Sequence, residues 1–311
     1  MADYTLCLVS NTELSTQLKT IRAELGARGY EVTAQQHLNP DFDAHNPDPM
    51  GDAYSLRFSG ACNSDSRKAL SQHLSTCFEL DAFIQTAEDA DTVKELACFD
   101  MDSTLIQHEV MDELAYRYGI GEKISAITES AMRGEISFKQ SFEQRLACLE
   151  GFDAGLIPGI AQSLKLTPGA ETLIRTLKAK GVKVAVLSGG FENFAVHLQN
   201  ELGALDYIHA NILQVEAGKL TGRISNELVN ETRKLALIEQ LAKENGLTAA
   251  QTIAVGDGAN DIPMLLYAGL GMAYDAKPLV QEKAPHCINH TSLASILYML
   301  GYSRAEFVTP N

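Results

Sequence analysis

Residues 96–104 read LACFDMDST: four apolar residues, Leu96 to Phe99, run directly into Asp100-Met101-Asp102-Ser103-Thr104. A short apolar run without alternation has the form of a strand buried on both faces, as in a parallel sheet. In open α/β sheets, ligands bind beyond the carboxyl ends of the strands. Two carboxylates one residue apart in the loop leaving such a strand can both face that crevice. Asp, Ser and Thr also cap helix N-termini, so this loop by itself leaves site and cap both open.

Moving outward, comparable apolar runs occur at 182–187, 252–255 and 270–273. Helical stretches near 169–180, 192–202 and 232–245 separate them. Strands alternating with helices predict a doubly wound, parallel α/β domain from about residue 92 to 302. Two insertions interrupt it. Residues 110–165 are mostly helical and form a cap between the first two strands. Residues 212–224 read as a hairpin turning at Ala217-Gly218.

The preceding residues, 1–88, carry a different pattern. Short strands are expected at 5–9, 30–36, 54–58 and 82–85. Leu14, Leu18, Ile21 and Leu25 recur at helical spacing, with Gly26 and Gly29 ending that helix. Residues 64–78 predict a second helix, and 39–52 a loop rich in Pro, Asp and Asn. The order βαββαβ is a small α+β, ferredoxin-like pattern. It resembles an ACT regulatory domain. Residues 86–91 (TAEDAD) read as a linker.

The chain has 311 residues, 45% hydrophobic and 21% charged, with a net charge of -15. That is the composition of a folded globular protein. No Lys/Arg cluster marks a nucleic-acid surface, so no nucleic-acid partner is expected. No run reaches the roughly 18 apolar residues that cross a membrane. The first ten residues do not read as a signal peptide, so a cytoplasmic protein without a membrane partner is expected. Six scattered cysteines form no C-x-x-C pair, and of the eight histidines His286 and His290 alone stand at H-x-x-x-H spacing, with no further ligand pattern beside them, so zinc is not indicated.

Three further segments carry chemistry. Residues 186–190 (VLSGG) end a strand with Ser188, Gly189 and Gly190, whose N–H groups and following helix N-terminus can hold a phosphate. Residues 256–261 (GDGAND) follow another strand and add Asp257, Asn260 and Asp261. Lys234 lies on the helix before that strand. Taken singly, each has a plain structural explanation: a strand-to-helix turn, a solvated Gly/Asp turn, a surface lysine. Together they gather at one edge of one sheet. Asp100, Asp102, Asp257 and Asp261 would crowd that edge with like charge and raise one another's pKa values. A divalent cation relieves this, and an all-oxygen set suits Mg²⁺.

The set D-x-D-x-T, Ser, Lys and G-D-G-x-N-D resembles the four motifs of the haloacid dehalogenase (HAD) superfamily, over about 95–298. Within it, DMDST, AMRGE, SGGF and GDGANDIPM are similar to the phosphoserine phosphatases. The resemblance implies a HAD-like, Rossmannoid fold with O-phosphoserine as substrate, in the last step of serine biosynthesis. It assigns Asp100 as the nucleophile that becomes an aspartyl-phosphate, with Asp102 as general acid and then base. Serine is a poor leaving group, and a second Asp supplies the proton that a phosphatase needs. Mg²⁺ is assigned to the Asp100 carboxylate, the Asp102 backbone carbonyl and Asp257, with Asp261 orienting water and Lys234. Ser188, Gly189, Gly190, Lys234 and Asn260 would hold the phosphate. The resemblance places Glu109 on the substrate's ammonium and Arg145 on its carboxylate, with Met132 and Phe138 closing the pocket. An acid and a base are what an amino acid's two charges require. Alternatives are another small phosphomonoester, phosphoryl transfer to an alcohol, or a catalytically idle serine sensor. ACT-like domains pair edge to edge, so a homodimer through the N-terminal domain is expected.

Overall fold

The computed structural model describes residues 2–45, 48–133 and 135–309. The N-terminal unit runs β1 (Ala2–Ser10), α1 (Ser15–Ala27), β2 (Glu31–His37), β3 (Asp52–Gly60), α2 (Ser64–Phe78) and β4 (Asp81–Thr86). Its sheet order is β2-β3-β1-β4, antiparallel throughout, which is the ferredoxin-like topology. Gly26 lies inside α1 rather than ending it; the reversal comes at Gly29, with φ +83°. Residues 86–91 form a short helix, α3 (Ala87–Asp91), capped by the Thr86 hydroxyl. The acidic stretch read as a linker is therefore ordered: carboxylates in a helix's first turn complement its dipole.

The second unit opens with β5 (Leu96–Phe99), the strand read from the sequence. The cap follows: α4 (Val110–Arg117), α5 (Gly121–Met132), α6 (Phe138–Ala147) and α7 (Ile157–Ala161). The chain then runs α8 (Ala170–Ala179), β6 (Lys183–Phe191), α9 (Glu192–Leu202), β7 (Tyr207–Asn211), the hairpin β8 (Leu213–Glu216) and β9 (Lys219–Ile224), α10 (Glu231–Glu244), β10 (Thr252–Gly256), α11 (Ile262–Tyr267), β11 (Leu270–Tyr274), α12 (Pro278–Lys283), β12 (His286–Ile288) and α13 (Ser295–Met299). Ala217 and Gly218 turn the hairpin, both with positive φ. No helix among the described residues is long and apolar enough to cross a membrane.

The main sheet has the order β12-β11-β10-β5-β6-β7 and is parallel throughout. Successive residues feed opposite cores. Ala97 and Phe99 of β5 pack in one with Leu173 and Leu177 of α8. Leu96 and Cys98 pack in the other with Leu237, Ile238 and Leu241 of α10. Burial on both faces explains the uninterrupted apolar runs. The chain winds outward from β5 through β6 and β7, then returns to β10 on its other side. The switch point between β5 and β10 opens a crevice at their carboxyl ends.

The N-terminal sheet uses both faces as well. Tyr4, Leu6 and Leu8 of β1 face α1 and α2. Cys7 and Val9, with Phe83 of β4, join the same apolar cluster as Leu293, Ile296 and Tyr298 of the second unit. Polar ties fix this seam. Asp81 accepts hydrogen bonds from the backbone N–H groups of Asn289 (2.9 Å), His290 (3.2 Å) and Thr291 (2.9 Å). Lys68 donates to the Glu282 carbonyl and to that of Ala284 (2.9 Å), capping the end of α12. Beyond residue 302, Arg304 pairs with Asp48, and its N–H donates to the Leu38 carbonyl.

Asp81 is 1% exposed, so its removal strands three amide donors at a dry seam. Asp81→Ala is expected to destabilise the chain by about 2–4 kcal/mol, read as a fall in denaturant midpoint. A change below about 0.5 kcal/mol would show that the seam does not depend on this carboxylate.

Candidate active site

β5 and β10 lie side by side at the switch point and each delivers an aspartate. Asp100 follows β5, its N–H donating to the Val255 carbonyl at 2.9 Å. The chain then folds into a tight turn in which the Met101 carbonyl accepts from the N–H groups of Thr104, Leu105 and Ile106. Ser103 takes a left-handed backbone, φ +54°, and its hydroxyl donates to Glu109 at 2.8 Å. Asp257 and Asp261 leave β10. One carboxylate oxygen of each of Asp100, Asp257 and Asp261 falls within 4.8 Å of the others.

Lys234 enters from α10, fully buried. Its Nζ lies 2.9 Å from Asp100 Oδ1 and 2.7 Å from Asp261 Oδ1. Burial opposes its charge, but the two carboxylates prevail and hold the ammonium protonated. Asp261 Oδ2 accepts from the Gly258 N–H at 2.9 Å, so both of its oxygens are engaged inside the protein. Asp257 is freer, with Thr104 Oγ1 at 3.4 Å and the exposed Lys277 ammonium at 3.7 Å. Burial and the Asp100 charge push Asp257 up to about 6. Three carboxylates against one ammonium leave an excess of two negative charges in a buried site. Oxygen donors carrying that excess fit a hard divalent cation. Among the described residues nothing hydrogen-bonds the Asp102 carbonyl oxygen, which leaves it free as a further donor.

Asp102 differs from its neighbours. Burial, then the charges of Glu109 and Asp100, raise its pKa well above the ordinary carboxylate value. Its Oδ1 is buried without a hydrogen-bond partner among the described residues. Such a setting favours the protonated form of a carboxyl group.

The Ser188-Gly189-Gly190 segment does not end β6 as the sequence suggested; the strand continues to Phe191. Between Leu187 and Phe191, four steps along β6 face two along β7. This bulge pushes the three residues out beside the aspartates. Ser188 Oγ accepts from the Gly190 N–H at 2.9 Å. A Cβ at Gly190 would sit 2.8 Å from Met101 Cε and 2.9 Å from Asp102 Oδ2, so only glycine lets the bulge approach this closely. Asn260 stands against Gly258.

In the cap, Glu109 is the exposed N-cap residue of α4. Arg145 lies in the last turn of α6. It is half-buried, and burial lowers its pKa against the opposing pull of Asp112 and Glu109. Met132 ends α5 and Phe138 begins α6; their side chains lie outside the described residues.

Residues 94–269 match the family model of haloacid dehalogenase-like hydrolases. The chain belongs to that family. Among curated relatives of this HAD hydrolase, the phosphoserine phosphatase of Streptomyces coelicolor is 45% identical over 68% of the chain. The chain spans about half of that relative's length, 52%. The phosphoserine phosphatase of Vibrio cholerae is 36% identical over 93% of the chain and 88% of its own. A solved phospho-aspartyl intermediate analogue of phosphoserine phosphatase is 42% identical, with TM-score 0.62 over 67% of this chain and 99% of that one.

Three residues of the HAD site escaped the sequence reading. Asn211 is fully buried; its Nδ2 donates to the Gly189 carbonyl at 2.7 Å and its Oδ1 accepts from the Val229 N–H at 3.0 Å. It pins the bulge to the segment leading into α10, and no local pattern marks it. Thr104 was quoted within its motif but given no role, although it is buried against Asp257. Lys277 follows β11 at the same sheet edge as the aspartates, so the edge rule applied to that strand would have found it.

Proposed function

We propose that the protein is a magnesium-dependent phosphomonoesterase that hydrolyses O-phosphoserine to serine and phosphate. The observation carrying the substrate is Arg145. Its guanidinium is half-buried, and among the described residues no carboxylate lies within 4 Å of it. A desolvated cation with no carboxylate in direct contact calls for an anionic ligand, and a guanidinium fork matches a carboxylate. Glu109, an exposed acid joined to the catalytic loop through Ser103, complements the substrate's ammonium. The names of the Streptomyces and Vibrio relatives support the same substrate.

In this reading the chain divides into an ACT-like unit, 1–88, and a catalytic unit, 92–302, capped by 110–165. Asp100 Oδ1 is occupied by Lys234 and the Met101 N–H. Oδ2 is the free oxygen and attacks phosphorus. As the bond from phosphorus to the serine oxygen breaks, Asp102 gives that oxygen its proton. The resulting Asp102 carboxylate then takes a proton from water, which cleaves the acyl-phosphate and restores Asp100. Lys234, Asn260, Ser188 and the Gly189 N–H hold the phosphoryl oxygens, joined by the Gly190 N–H once it leaves Ser188 Oγ. Asp261 keeps Lys234 aimed. Asp100, Asp257 and the Asp102 carbonyl would hold Mg²⁺, which when bound offsets the excess negative charge and the charge of the phosphoryl group. Met132 and Phe138 are assigned to closing the pocket. A homodimer through the N-terminal sheet completes the reading, since among the described residues β2 pairs with β3 alone and is mostly exposed.

The deciding assay is phosphate release from a panel of phosphate esters with Mg²⁺. O-phosphoserine is expected to be preferred, and turnover to fall at least about 10³-fold in Asp100→Asn or with EDTA. Equal turnover of esters lacking the amino and carboxylate groups would sink the substrate assignment. A pH profile tests the acid. Asp102 must be protonated in the free enzyme, so kcat/KM falls as pH rises through its pKa. Glu109 is a like charge that raises that pKa. Glu109→Gln is therefore expected to shift the alkaline limb to lower pH; an unmoved limb would show that Asp102 is not the titrating acid. Sedimentation of the full chain should give twice the 33.8 kDa mass, and a monomer mass at micromolar concentration would remove the dimer.

A further inference from the structure

The two insertions into the catalytic fold are one structure. β9 carries a bulge: Leu213 pairs with Ile224 and Val215 with Leu220, so four steps on β9 face two on β8. Gly222 stands at its apex with φ +70°. The bulge presses on the end of α6. A Cβ at Gly222 would lie 3.1 Å from Ala147 Cα, 3.3 Å from the Ala147 carbonyl oxygen and 3.2 Å from Glu150 Cβ. Two of these atoms are backbone and cannot swing away. The segment leaving α6 is stitched to the same strand. The Gly151 N–H donates to the Leu220 carbonyl at 2.8 Å, the Leu220 N–H to Phe152 at 2.9 Å, and the Ala154 N–H to Gly218 at 2.9 Å. The base of the hairpin is equally fixed. Asn226 accepts from the Ile212 N–H at 2.8 Å and donates to the Ala210 carbonyl at 3.0 Å. Asn211, next to that base, holds the Gly189 carbonyl.

The hairpin thus spans from the phosphate bulge of β6 to the last turn of α6, which carries Arg145. We propose that it is a spacer that sets the distance between the phosphate grip and the carboxylate grip, and that Gly222 is a specificity-determining positioning residue. The inference rests on assigning Arg145 to the substrate carboxylate. A side chain at Gly222 requires the end of α6 to yield by a few tenths of an ångström, and Arg145, in the same last turn, moves with it. The atoms that a Cβ at Gly222 meets belong to Ala147 and Glu150, neither of which holds the phosphate, so the loss falls chiefly on carboxylate recognition. A misplacement of a few tenths of an ångström at a positioning group costs on the order of a few-fold in rate.

The test compares kcat/KM for O-phosphoserine with that for O-phosphoethanolamine, which keeps the ammonium and lacks the carboxylate. Gly222→Ala should lower that ratio about threefold or more, chiefly through KM for O-phosphoserine. Gly218→Ala is the control. It has the same left-handed backbone, φ +79°, in the same hairpin, but a Cβ there meets nothing within 4 Å. It should lose stability and keep the ratio within about twofold. Gly222→Asn carries the same Cβ with less backbone strain and should behave as Gly222→Ala. Arg145→Ala calibrates the assay by collapsing the ratio. If Arg145→Ala leaves the ratio intact, the underlying carboxylate assignment fails. If Arg145→Ala collapses it but both Gly222 variants match Gly218→Ala, the spacer is overturned. Failure of both Gly222 variants to fold, beside a folded Gly218→Ala, would confine the glycine to fold stability and overturn it as well.

Discussion

The site depends on a lysine ammonium buried between two carboxylates. Removing such charges from water costs several kcal/mol per ion. Lys234 therefore sits where it does only because Asp100 and Asp261 compensate it at 2.9 and 2.7 Å. The constraint acts in both directions. Lys234 fixes one oxygen of Asp100, leaving the other directed and free, while Asp261 spends both of its oxygens on Lys234 and the Gly258 N–H. With Asp257 the group still carries excess negative charge, so the same arrangement that orients Asp100 creates the demand for a cation.

Environment then separates aspartates that look alike in sequence. Asp100 and Asp102 are two residues apart, yet one is tied to an ammonium and the other is dominated by burial and like charge, with one oxygen unpartnered among the described residues. Two carboxylates in contrasting surroundings suit one loop to the two roles proposed for it, nucleophile and proton donor. The parallel sheet makes this affordable in geometric terms: rigid neighbouring strands deliver Asp100 and Asp257 side by side, and mobile side chains need little further ordering.

Much of this was legible in the residues. LACF has no polar face, and β5 is buried on both. Ala217-Gly218 announced the hairpin turn, and residues 64–78 the second helix. Strands β7 and β12 were missed, because YIHAN mixes His and Asn into its run and HCI is three residues long. The bulge in β6 was unreadable, since it is defined by which residues of β7 it faces. Asn211 and Gly222 act across long sequence separations, where a single sequence gives no pairing. One signal was present and unread. Leu6-Cys7-Leu8-Val9 is apolar at every position, where a one-faced sheet would alternate; that pattern already meant a strand covered on both sides.

Covering both sides of β1 has a consequence for the whole chain. Cys7, Val9 and Phe83 belong to one continuous apolar cluster with Leu173, Ile296 and Tyr298. The N-terminal sheet therefore serves as part of the wall of the catalytic core, and a chain lacking it would present a greasy face to water. Melting of either half would unroof the other, so heat, denaturant or a protease would meet a single cooperative body in place of a regulator hung on a flexible tether.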